Sequence, residues 1–149
     1  MKQYDDIIYE RKLLGSPAIV WPFLSNSGLW ETWFAKTESD LELGKEFALL
    51  LTYFPSDNSA LWQGKVHQIK NQIMIEFALY NLELSMETQV RFFVKQNNEN
   101  LLLSIQHSGF TAESFWQGLK VRKERKRLMI FWEKALHKLE YQLELKLKG

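Results

Sequence analysis

The stretch "LMIFWEKALHKLEYQL", residues 128–143, decides the architecture. Leu128, Trp132, Ala135, Leu139 and Leu143 recur at steps of three and four, and Phe131 and Leu136 widen the same stripe. Glu133, Lys134, Lys138 and Glu140 take the other positions. This pattern predicts an amphipathic helix that buries one face. At the helical rise the stretch measures about 24 Å, against about 27 Å for a strand of about eight residues. It is long enough to cover a sheet from end to end.

Upstream the period is two. Leu84, Met86, Thr88, Val90, Phe92 and Val94 share one face of residues 84–95, while Ser85, Glu87, Gln89, Arg91 and Lys95 fall mostly on the other. Such alternation marks a strand in a sheet with one buried face. Leu101, Leu103, Ile105 and His107 repeat it, which turns His107 inward with the apolar residues. Residues 38–107 as a whole read as strands separated by turns at "LGKE" near 44, "PSDNS" (55–59), "KNQ" near 71 and "QNNEN" (96–100). "HSGF" (107–110) then forms the hinge from the last strand into the helix, with Gly109 supplying backbone angles that other residues resist.

Toward the N-terminus, "DDIIYERKLL" (5–14) predicts a first strand that stops at Gly15. "SPAIVWPFLS" (16–25) predicts a helix with Ser16 capping free N–H groups and Pro17 at the first helical position. Pro22 keeps that helix short or kinks it. A second short helix carries Leu29, Trp30, Trp33 and Phe34 on one face.

Composition bounds the functions on offer. A chain of 149 residues fits one domain, 1–149, and Lys+Arg 19 against Asp+Glu 18 gives no overall field for nucleic acid or anionic lipid. With no Cys there is no disulfide framework, thiol nucleophile or thiolate metal site. The charged opening "MKQYDDIIYERKLL" lacks the apolar core of a signal peptide, and no stretch approaches the ~18 apolar residues of a membrane span. A soluble, cytoplasmic protein is expected. Six Trp, five Tyr and ten Phe supply large rings for a core or a cavity wall.

"SPAIVW" (16–21), "LWETWF" (29–34), "DLELGKEF" (40–47), "GKVHQI" (64–69) and "HSGF" (107–110), followed by a Trp-bearing terminal helix, resemble the family named after the activator of the heat-shock protein 90 ATPase. That family belongs to the START and polyketide-cyclase-like (SRPBCC) superfamily, and the resemblance runs from about Ile7 to Leu143. It implies an α+β helix-grip fold, in which a curved antiparallel sheet wraps a long C-terminal helix and two short helices follow the first strand. It also implies a largely apolar space between sheet and helix, lined by Trp33, Trp62, Met86, Val90, Phe92, Leu103, His107, Phe110, Trp132 and Leu136. Three departures are visible. Pro22 interrupts the first helix, Lys45 stands where a second glycine is usual, and Phe131 precedes Trp132 where a glycine is usual, adding bulk beside the space.

Among polar candidates His107 stands first. It could orient a ligand or act as acid or base, or it could be a structural histidine bonded to the backbone or Ser108. His67 and His137 are expected on exposed surfaces. Neither His-Glu-x-x-His nor Gly-x-Ser-x-Gly occurs, no glycine-rich phosphate loop is present, and neither metal ligands, a cofactor nor catalytic residues are assigned. "KVRKERKR" (120–127) is expected to be the solvated first part of the helix. The expected partner is a small apolar molecule, with no nucleic acid and no membrane, and with the chain as monomer or homodimer. The resemblance leaves two alternatives: a chaperone-binding module sensitive at Arg125 and Arg127, or a cyclase-like enzyme using His107.

Overall fold

A computed structural model describes residues 1–52, 59–98 and 100–149. Pro55–Asn58 of one expected turn and Glu99 of another lie outside them. The chain runs β1 (Lys2–Gln3), β2 (Ile7–Leu13), α1 (Pro17–Ser25), α2 (Ser27–Trp30), β3 (Glu46–Thr52), β4 (Ser59–Lys70), β5 (Met74–Asn81), β6 (Met86–Asn97), β7 (Asn100–Ser108), β8 (Thr111–Ala112) and α3 (Phe115–Lys148). Strands β2-β7-β6-β5-β4-β3 form one antiparallel sheet in that order, and β1 pairs with β8 in a separate two-stranded ribbon.

The alternation expected in 84–95 and 101–107 sets the inner face. Met86, Thr88, Val90, Phe92 and Val94 on β6, and Leu101, Leu103, Ile105 and His107 on β7, are all buried. Register follows: Val90 faces His107 and Phe92 faces Ile105 across the β6–β7 pair. The β4–β5 pair shifts register between Val66 and Gln68, leaving His67 as the extra, exposed residue of a bulge, a device that bends a strand.

α3 buries Leu128, Phe131, Trp132, Ala135, Leu136, Leu139 and Leu143 as the stripe requires, but it begins earlier, at Phe115. Ser114 caps it, its Oγ accepting from the Gln117 N–H at 3.1 Å. Over its 34 residues the helix is about 50 Å long. The basic run is therefore only partly solvated. Val121 and Glu124 are buried, the Arg125 guanidinium donates to the Asp5 and Asp6 carbonyls at 2.7 and 3.3 Å, and Arg127 pairs with Glu124 at 3.6 Å. Tyr9 Oη donates to the Met129 carbonyl at 3.0 Å, a second tie between β2 and α3.

Three local expectations need correction. The second short helix ends at Trp30, so Trp33 and Phe34 follow it in turns whose N–H groups bond the Trp30 carbonyl. Ser16 stands at the N-cap of α1, but its side chain makes no cap bond; its backbone carbonyl accepts from Ile19 and Val20. "HSGF" does not lead straight into the helix either. Gly109 takes φ +93°, with the Thr88 backbone 3.3 Å from where a Cβ would sit, and the chain first forms β8. Among the described residues no helix is long and apolar enough to cross a membrane.

Gly64 on β4 faces Phe47 on β3, and the Phe47 ring lies over it where a side chain would stand. The same ring packs edge-on against Trp30 and Phe77 at 5.8 and 6.0 Å. Gly64→Ala drives Phe47 out of that cluster and costs about 1–3 kcal/mol by overpacking, readable as a lowered urea midpoint at unchanged m-value.

Candidate binding groove and buried histidine network

The aromatic segment after α1 is locked by its own indoles. Pro22 cannot continue the helical bonding pattern, α1 ends at Ser25, and the last four carbonyls of a helix need outside donors. Two of them, those of Phe23 and Leu24, take indoles. Ser25 Oγ donates to Trp21, the Asn26 N–H to Pro22, Trp33 Nε1 to Phe23 and Trp30 Nε1 to Leu24, all at 2.8–2.9 Å. This turns the Trp30–Ala35 segment across the inner face of the sheet, where Phe34 stacks on Trp132 at 4.9 Å and 11°. Phe131 closes edge-on against Phe34 at 5.9 Å.

All the side chains expected to line the internal space converge in one buried cluster. Trp33, Trp62, Met86, Val90, Phe92, Leu103, His107, Phe110, Trp132 and Leu136 are each 3% exposed or less. Ring contacts knit the aromatic members together: Phe92 meets Trp33, Trp132 and Phe77 at 5.4–5.8 Å, and Phe110 meets His107 at 4.8 Å.

Beside this cluster a groove of about 420 Å³ opens to solvent between the segment after α2, β3 and α3. Trp33, Phe34, Ala35, Leu50, Phe131 and Ala135 give it an apolar floor, and Glu31, Lys36, Lys134, His137 and Lys138 form its rim. Backbone bonds between Lys36 and Leu50, at 2.8 and 3.1 Å, fix the wall on the β3 side. Of the expected lining residues only Trp33 borders the groove, and the others lie in the core behind it. Phe34 and the lysines were missed because Lys36 sits in an aperiodic connection. The α3 contribution left a faint signal, since Phe131, Lys134, Ala135 and Lys138 share a helix face beside the buried stripe.

His107 sits at the centre of a directional chain of bonds. Trp132 Nε1 donates to His107 Nδ1 at 3.0 Å, and because an indole N–H can only donate, Nδ1 carries no proton. Nε2 therefore bears the hydrogen of the neutral ring and donates to Thr88 Oγ1 at 2.7 Å, and that hydroxyl passes its own hydrogen to the Leu79 carbonyl at 3.2 Å. The ring is fully buried, and loss of hydration lowers its pKa to about 3. Its partners are Trp132 and Thr88 rather than Ser108 or the backbone. With both nitrogens engaged, His107 ties α3 to β6 and β7 and has no free lone pair for acid–base work. Among the described residues no three His, Asp or Glu side chains gather as metal ligands would.

No protein-family model and no curated protein sequence matches this chain. Solved structures do. Protein MLL2253 from Mesorhizobium loti is 18% identical, with a TM-score of 0.77 over 95% of this chain and 98% of that one. Protein BH1534 from Bacillus halodurans is 20% identical, with a TM-score of 0.73 over 96% and 99%. The Aha1 dimer from Colwellia psychrerythraea is 14% identical, with a TM-score of 0.65 over 95% and 97%. At such identities the likeness is one of fold, and it covers nearly the whole of each chain. The protein thus shares the helix-grip fold of these structures, a curved antiparallel sheet with a long C-terminal helix packed on it.

Proposed function

We propose that the protein is a non-enzymatic binding module whose ligand is a small, mainly apolar molecule carrying an anionic group. The observation that carries this is the groove: an open volume of about 420 Å³ with an aromatic floor and a rim of Lys36, Lys134 and Lys138 against the single acid Glu31. The volume falls within the range of about 300–1,000 Å³ typical of small-molecule sites. Apolar ligand area buried on Phe34 and Phe131 supplies affinity at about 25 cal/mol per Å², and the lysines fix the polar end. Trp33 touches the ligand, while the side chains behind it, from Trp62 to Leu136, form a packed backing that holds the floor in place. The groove borders α3 and the segment after α2, so the module acts as one domain.

Thermal melting with aryl and medium-chain carboxylates, each beside its neutral amide, tests the proposal. A carboxylate at about a hundredfold its Kd adds about 2.7 kcal/mol, a rise of about 5–10 °C for a chain of this size. Lys138→Glu weakens the carboxylate selectively, leaving the amide unchanged. If no compound of either series raises the melting temperature, the groove is not a ligand site.

A further inference from the structure

The outward face of α3 near its start carries a second surface, independent of the groove. Phe115 and Trp116 are each 73% exposed, with ring centroids 5.5 Å apart, and Leu119 and Ile130 follow on the same side at 38% and 44%. At about 100° per residue, residues 115, 119, 126 and 130 lie within about 60° of one another. Lys120, Arg122, Lys123 and Lys126 are all exposed among them. From Phe115 to Ile130 the sole acid is Glu124, which is 9% exposed and pairs with Arg127. Other acids around it are Glu113, exposed just before the helix, Glu133, exposed three residues beyond Ile130, and Asp5 and Asp6 on the flank held by Arg125. The β1–β8 ribbon brings Lys2 to the same end, where it and Arg122 border a recess of about 540 Å³ beside Phe115.

Every other tryptophan is 8% exposed or less, so the outward Trp116 stands against the rule the rest of the chain follows. Aromatic rings flanked by cations match the interfacial zone of an anionic bilayer, where rings settle at the boundary of headgroups and acyl chains and lysines meet phosphates. A convex helix face also suits a fluid surface that closes around each ring, whereas a folded partner would need a matching groove. We propose that this face docks the protein peripherally on an anionic lipid surface, with Phe115 and Trp116 inserted and Lys120, Lys123 and Lys126 on the headgroups.

Trp116 reports on its own docking. Titration with vesicles of equal parts phosphatidylglycerol and phosphatidylcholine at low ionic strength is expected to move its emission to shorter wavelength and to sediment the protein with the lipid. Trp116→Phe abolishes the spectral shift while co-sedimentation persists. Each Lys→Ala change at 120, 123 or 126 lowers partitioning about fivefold, and the triple variant about a hundredfold, with unchanged melting temperature because these side chains are exposed. Absence of both signals, or equal binding to pure phosphatidylcholine vesicles, overturns the proposal. So does a Trp116 already shielded from iodide in lipid-free protein, which would place a second copy on this face. None of these failures touches the groove, which is tested by carboxylates in solution.

Discussion

Acidification from pH 6.5 toward pH 3 is expected to remove roughly 4–5 kcal/mol of folding free energy through one side chain, His107. The unfolded chain binds the imidazole proton near 6.5, while the folded one resists it until about 3 because the buried ring cannot be hydrated as a cation. Between these values the unfolded state holds more protons, so stability is complete above about 6.5 and falls as pH drops through the window. At about 1.4 kcal/mol per pKa unit the loss reaches roughly 3 kcal/mol by pH 4. The network gives the resistance a geometric cause as well. A proton on Nδ1 would face the Trp132 Nε1–H at 3.0 Å, donor against donor. Urea unfolding of the wild type and of His107→Gln across pH 4–7 measures the effect. The variant starts less stable at pH 7, by about 1–3 kcal/mol for the orphaned indole N–H, and lacks the His107 share of the slope. Parallel profiles for the two proteins would show that His107 does not resist protonation in the folded state.

That network was only half legible beforehand. Alternation along 101–107 was enough to turn His107 inward, because strand side chains change face at every step. Its partners were not readable, since Trp132 lies 25 residues and Thr88 19 residues away, and no periodicity specifies which ring nitrogen meets which donor. The same contrast runs through the fold. β6, β7 and the α3 stripe repeat their pattern over many residues, so the sequence predicts them well. The β1–β8 ribbon pairs only Lys2 with Ala112 and Gln3 with Thr111, too short a run to register as a pattern.

The groove was hidden for a related reason. Its floor reuses rings that the sequence assigns to a core, and its rim combines Lys36, from a connection without periodicity, with the solvent-facing side of α3. Phe131 marks the boundary. Placed where a glycine would leave space, it packs on Phe34 and Trp132 and fills the region beside the stack, so the open volume lies outside the ring cluster. Bulk at that helix position thus forms part of the groove's wall.

Trp132 joins these features, and Trp132→Ala is expected to be the most damaging single substitution, at roughly 4–6 kcal/mol. Truncating a buried tryptophan costs about 3–5 kcal/mol, and leaving His107 Nδ1 without a donor adds about 1–3 kcal/mol, offset in part if water enters the vacated space. The stack under Phe34 disappears with the ring, so the groove floor loosens and carboxylate binding falls together with stability. Set against the 5–15 kcal/mol typical of a whole domain, a loss of this size leaves the fold marginal. Trp132→Phe helps to separate the two contributions, because it keeps a ring on Phe34 while removing the N–H along with the second ring of the indole. Beyond the packing lost with that ring, the missing donor should cost about 1–3 kcal/mol in the wild type, and this increment should vanish in a His107→Leu background, where no acceptor is left waiting and Thr88 still bonds the Leu79 carbonyl. Additive costs in that double-mutant cycle would mean that the indole N–H and the imidazole do not interact in solution.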